Sequence, residues 1–164
     1  VLIRDPQVFN AYIEASKLSG IKHFNYALQE PKNKVPTLII QFSETFSLSF
    51  YSNLSGSFSY FHRDVLEKVG LFDPKFYNAM EHVDHTLRIC KAGFHPPFWW
   101  FVDIFDSGKY LDNVEGAIEN SNLRNDPNYQ DICIEGIKYY REKHGLVPLP
   151  SREDLIEYLK GPKP

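Results

Sequence analysis

Apolar and polar positions alternate along this chain with two different periods, and turn residues mark most of the switches between them. Val1-Leu2-Ile3 reads as the tail of a strand, after which Asp5-Pro6 supplies an N-cap and a proline at the first helical position. Val8, Phe9, Tyr12, Ile13 and Ser16 then share one face at 3.6-residue spacing, and Gly20 is placed to end that helix in a left-handed turn. Ile21 to Ala27 and Val35 to Phe42 read as extended segments on either side of the polar turn Glu30 to Lys34. Period two takes over in Phe46-Ser47-Leu48-Ser49-Phe50 and again in Ser57-Phe58-Ser59-Tyr60, the signature of a sheet with one buried face. Arg63 to Val69 and Val83 to Ala92 are expected to be short helices, stopped by Gly70 and Gly93. Pro96-Pro97 excludes helix and introduces the aromatic run Phe98 to Ile104. Asp126-Pro127 caps a helix in which Tyr129, Ile132, Cys133, Ile137 and Tyr140 share a face up to Gly145, and Ser151 with Asp154 spells a capping box. Strands with interspersed helices, then a helical last third, make the chain α/β, with α+β the other arrangement of the same elements.

Charge and composition narrow the partners. The 164 residues carry 18 Lys+Arg against 21 Asp+Glu, a net charge of −3, with no basic run or stripe to displace phosphate counterions, so nucleic acid is excluded. The longest apolar stretches, Val35 to Phe42 and Pro96 to Ile104, fall far short of the ~20 residues of a spanning helix. Cys90 and Cys133 make no disulfide framework and suit a reducing compartment, while leaving room for one bridge. The expected location is therefore cytoplasmic, in solution or peripheral to a membrane. Aromatics reach 15% (13 Phe, 10 Tyr, 2 Trp), enough for stacking surfaces as well as a core. The chain opens on Val1 inside an apolar run, without an initiator Met, and reads as a piece of something longer.

The densest polar constellation is Glu81-His82-Val83-Asp84-His85, where Glu81, Asp84, His85 and Arg88 fall on one helical face. Carboxylates and imidazoles crowded in this way can serve as a general base or as metal ligands. The same spacing also describes a plain helix start, in which Glu81 and Asp84 favour the positive N-terminus and Asp84 pairs with Arg88. It is not the His-Glu-x-x-His zinc pattern, which leaves a metal hydrolase using His82, His85 and Asp103 as the weaker alternative. His23, His62, His95 and His144 read as surface or hydrogen-bonded structural residues. Asn53-Leu54-Ser55 is a formal glycosylation sequon without a secretory context.

An ordered series of motifs sets this cluster in context. Gly56-Ser57-Phe58-Ser59-Tyr60-Phe61-His62-Arg63 leads to Val69-Gly70-Leu71-Phe72-Asp73, then to Glu81-His82-Val83-Asp84, then to Arg88-Ile89-Cys90-Lys91-Ala92-Gly93. The series resembles the second half of the GT-A glycosyltransferases of family 2, and Tyr140-Arg141-Glu142-Lys143-His144-Gly145 is similar to the pattern that often closes those domains. The resemblance implies a partial GT-A domain, a mixed sheet with flanking helices. Residues 1–145 would form its acceptor-side portion and 146–164 a C-terminal helical extension.

It also implies roles. The family's acidic element takes the proton from the acceptor hydroxyl while a nucleoside diphosphate is displaced from the sugar donor. Glu81 matches its glutamate, but His82 stands where an aspartate is usual, so the base is His82, Glu81 or Asp84, or the site is inactive. Gly56 and Ser57 match the segment that passes close to the donor sugar, with a plain turn or bulge the other reading of Gly56. Trp99 or Trp100 would offer a flat face to a saccharide, and His85 joins the substrate-binding set. Asp103 falls where relatives carry a late metal-binding histidine. The intact parent is expected to use Mn2+ or Mg2+ held by an Asp-x-Asp element, which this chain lacks, so the fragment itself is expected to be inactive. Its sheet would expose an edge open to self-association. The competing expectation is a non-catalytic carbohydrate-binding or scaffolding module that kept the half-fold and lost the donor site.

Overall fold

Helix α1 (Val8–Ser19) opens the structured part of the chain, behind a short strand β1 (Leu2–Ile3). In this computed structural model, residues 1–29, 32–53, 56–116 and 120–164 are described. The turn Glu30 to Lys34 and the sequon Asn53-Leu54-Ser55 therefore lie partly outside the described residues. The helix starts two residues later than Asp5-Pro6 suggests, because Asp5 Oδ1 accepts from the Gln7 N–H at 2.8 Å and holds a preceding turn. Gly20 ends it at φ 71°, where a glycine avoids the left-handed penalty. Its buried face consists of Val8, Tyr12, Ala15, Ser16 and Ser19, while Phe9 and Ile13, expected inside, are exposed.

The strands are β2 (His23–Asn25), β3 (Leu38–Gln41), β4 (Ser47–Tyr51), β5 (Ser59–Phe61), β6 (Phe101–Ile104) and β7 (Leu111–Asp112). Among the described residues they form three small antiparallel sheets, β1-β7, β2-β5 and β3-β4-β6, in place of the expected single mixed sheet. Strand β2 runs beside β6 without ladder hydrogen bonds, so the two larger pieces still share one packed layer. In β4 the register pairs Leu48 with Ile104 and Phe50 with Val102, which stacks apolar side chains on one face as the period-two pattern requires.

Helices α2 (Arg63–Val69), α3 (Glu81–Lys91), α4 (Tyr129–His144) and α5 (Arg152–Lys160) complete a mixed α/β fold with five α-helices among the described residues. The N-cap of α2 is His62, whose Nδ1 accepts from the Asp64 N–H, and the capping box of α5 forms in both directions between Ser151 and Asp154. The main core joins Val8, Tyr12, Ile21, Phe24, Leu48, Phe50, Val102 and Leu111 to Leu155 of α5. Within 146–164, read as an extension, Leu155 seats α5 on the core, and two bonds hold it there: Trp100 Nε1 donates to Ser151 O at 3.1 Å and Tyr158 OH to Gly93 O at 3.2 Å. A second cluster, Phe76, Leu87, Phe98, Phe101 and Tyr140, fastens α4 over α3. Cys90 and Cys133 are both free thiols.

Candidate functional site

Helix α3 begins at Glu81, two residues earlier than the sequence pattern suggests, behind Met80 in the left-handed region at φ 67°. A side chain there costs about 1–2 kcal/mol, and nothing caps the helix from the side-chain side. The strained turn delivers Glu81 and His82 to the end of the helix where its dipole is positive. Gly56 passes directly over the His82 ring: a Cβ on Gly56 would lie 2.1 Å from His82 Cδ2. A side chain at position 56 would have to push the His82 ring aside, a demand that a plain turn does not make. Ser57, next to it, is exposed.

The two polar side chains meet at 3.4 Å, His82 Nε2 to Glu81 Oε1, both half-buried, and Glu81 Oε2 is buried without a hydrogen-bond partner. Burial lowers the His82 pKa and the Glu81 carboxylate opposes this, leaving it below the usual imidazole value. The ring is therefore neutral at physiological pH, a proton acceptor with a carboxylate at hand to stabilise the charged form.

The other predicted members of the cluster serve the fold. Asp84 is completely buried, with Arg88 Nε at 2.9 Å on one oxygen and Lys143 Nζ and His144 Nε2, each at 2.7 Å, on the other. Burial alone would raise its pKa, and the bonds from Lys143, His144 and Arg88 outweigh it, so the carboxyl sits below its ordinary value. Arg88 also donates to Val69 O and Leu71 O, which pins the turn after α2. His85 is 2% exposed and its Nε2–H donates to Gly70 O at 2.8 Å. The Asp84–Arg88 pair of the plain helix-start reading is thus present, and His85 is tied to the turn after α2.

Lys143 and His144 were not singled out as partners of this site, and no local pattern announces that they close on Asp84 from sixty residues away. Lys143 also bonds Asp73 at 2.7 Å, and with the Lys75 backbone holds that carboxyl down to about 2. Phe72, in the same turn, places its ring 5.3 Å from His82 and 4.6 Å from His85 and roofs the pair.

Asp103 lies on β6, far inside the fold. It is fully buried and accepts from Tyr12 OH (2.6 Å), Ala27 N (2.9 Å), Ile104 N (2.8 Å) and Ser107 Oγ (2.7 Å). Burial still raises its pKa to about 6 against those donors. With four internal donors, its oxygens are committed to joining α1, β6 and the turn after β2. The paired tryptophans do not alternate along a strand, because Trp99 adopts φ 80° just before β6 begins. Trp99 is 38% exposed with its ring against Phe98 and Phe101, and Trp100 is packed against the core and tied to Ser151.

Comparison with protein-family models, curated proteins and solved structures gives no match to this chain. No helix among the described residues is long and apolar enough to cross a membrane.

Proposed function

We propose that this chain is the acceptor-side portion of a family 2 GT-A glycosyltransferase, and that His82, backed by Glu81, takes the proton of the acceptor hydroxyl. The observation that carries the reading is the seating of a neutral, half-buried imidazole beside a carboxylate, with the Gly56 backbone close against the ring. In the step it implies, the hydroxyl proton passes to the His82 ring and the hydroxyl oxygen bonds to the anomeric carbon. The bond from that carbon to the diphosphate oxygen breaks, and the diphosphate leaves with the electron pair. Glu81 stabilises the imidazolium and then lets it release its proton to water. Asp84 is excluded from this role because its oxygens are taken by Arg88, Lys143 and His144.

The divalent ion expected for the parent does not fit Asp103. Asp103 spends its oxygens on four internal donors, and among the described residues no group of three or more His, Cys, Asp or Glu side chains could hold a metal. The same reading makes β3, with an open side among the described residues and Ile39 47% exposed, the edge for self-association.

A pH–rate profile of sugar transfer by the full-length protein tests the base. An acid limb below the ordinary imidazole range, absent in His82→Ala, is expected. A profile unchanged by His82→Ala and by Glu81→Gln would show that neither residue handles the proton. One feature favours the carbohydrate-binding module as a second reading: Trp99 offers an exposed indole, held out of the strand, to a sugar face. Saccharide binding that vanishes in Trp99→Ala, with no turnover of any nucleotide-sugar, would favour that reading over transfer.

A further inference from the structure

Behind the Glu81–His82 pair lies a second histidine cluster that the proposed chemistry does not use. His23 of β2 stacks on Phe61 of β5, with ring centres 4.7 Å apart, and Phe61 in turn meets His85 of α3 at 5.3 Å. On its other side His23 faces His95, in the turn after α3, at 5.1 Å. All three imidazoles are 1–2% exposed, and each has one ring nitrogen, His23 Nδ1, His85 Nδ1 and His95 Nε2, buried without a hydrogen-bond partner.

The second nitrogen of each ring assigns the tautomer. His85 Nε2–H donates to Gly70 O at 2.8 Å and His95 Nδ1–H to Pro96 O at 2.9 Å, so the orphan nitrogen of each carries a lone pair. His23 Nε2 lies 3.4 Å from Asn25 Nδ2, which donates to it. A proton added at any of these lone pairs finds no acceptor in the bonding arrangement that exists.

The charged surroundings offer no compensation. Against His95 stands the Cys90 thiol at 3.4 Å, whose ionisation burial suppresses. Around His85 stand Asp84, already bonded to Arg88, Lys143 and His144, together with Arg88 itself and His82, both of which oppose a positive charge. Around His23 the neighbouring titratable groups are His95, His85 and His82, all of the same sign once charged. Glu81 is engaged by His82. Burial accordingly lowers the pKa of all three, His95 to about 4.

We propose that His23, His85 and His95 form an acid-sensitive latch between the β2–β5 pair and α3 with its flanking turns, shut while the rings are neutral and open once they are charged. The elements it joins are those that carry the roof of the candidate site. Opening would free the Gly70–Asp73 turn from His85 and withdraw Phe72 from His82. Because the open form binds more protons than the closed one, closure is complete above the ordinary imidazole pKa of about 6.5 and is lost as pH falls below it. The latch is independent of the glycosyltransferase reading, since it rests on other rings and needs no substrate.

Hydrogen exchange of the full chain, followed by mass spectrometry from pH 7.5 to 4.5 and corrected for the intrinsic pH dependence, tests it. Peptides over β2, β5, the 70–73 turn and α3 should lose protection together. With up to three protons taken up, their opening should rise by up to about 1000-fold per pH unit, while β3, β4 and β6 stay protected. His23→Phe, which keeps the stack on Phe61, should flatten that rise by about tenfold per pH unit and move it to lower pH. His95→Asn, which keeps the donor to Pro96 O, should do the same and guards against a folding defect in the first variant. The proposal is overturned if β3, β4 and β6 lose protection at the same pH, or if both variants open at the wild-type pH with the wild-type slope.

Discussion

At the scale of single residues, Asp84 and Gly56 show how burial separates roles that the sequence leaves mixed. Asp84 is buried among Arg88, Lys143 and His144, so its removal leaves two part-buried cations and the His144 ring without their shared carboxylate. Asp84→Ala is expected to cost about 3–5 kcal/mol, measured by denaturant unfolding. A cost below about 1 kcal/mol would mean that the cluster is dispensable. Gly56→Ala puts a methyl where the His82 ring lies and must displace it. The expected outcome is a stability loss of about 1–3 kcal/mol with a shifted His82 ring resonance by NMR. The pairing of Asp84 with Arg88 was legible from their four-residue spacing. Lys143 and His144 were not, because a contact across sixty residues leaves no periodic trace, and burial is not written in any one side chain.

At the scale of elements, the last helix carries the clearest consequence. The Ser151–Asp154 capping box was readable because its spacing is local, but the seating of α5 in the main core depends on Leu155 meeting strands far away in the chain. Leu155→Ala should therefore cost about 2–5 kcal/mol, the range for a core leucine, whereas Ser151→Ala should cost about 1 kcal/mol. Thermal unfolding of the two variants separates these; equal effects would argue that α5 is only peripherally attached. Helix α1 shows the opposite failure. Val8, Tyr12 and Ser16 lie inside as their spacing suggests, but Phe9 and Ile13 do not, and Ala15 and Ser19 are inside instead, because small side chains let the helix lie close against β6. Strand order was not legible either, since alternation defines faces and says nothing of neighbours.

At the scale of the whole molecule, acid should act in two stages. The buried histidines lose their contribution as pH falls from about 6.5, the ordinary imidazole value. Asp73, held down to about 2 by Lys143 and the Lys75 backbone, contributes stability that is full above its ordinary value of 3.8 and lost as pH falls towards 2. Lys143→Met should weaken the lower stage and leave the upper one in place, read from unfolding free energies between pH 7 and 2. Loss of both stages together would mean that α4 and the histidine seam are a single cooperative unit.

The central claim is that His82, backed by Glu81, takes the acceptor proton in glycosyl transfer. It is tested most directly by nucleoside diphosphate release from a panel of nucleotide-sugars, using the full-length protein with and without oligosaccharide acceptors. Release that depends on acceptor, and that falls by about 10²-fold or more in His82→Ala with the fold intact, is the predicted result. Acceptor-dependent release at the wild-type rate in both His82→Ala and Glu81→Ala, or no release with any donor, would contradict it.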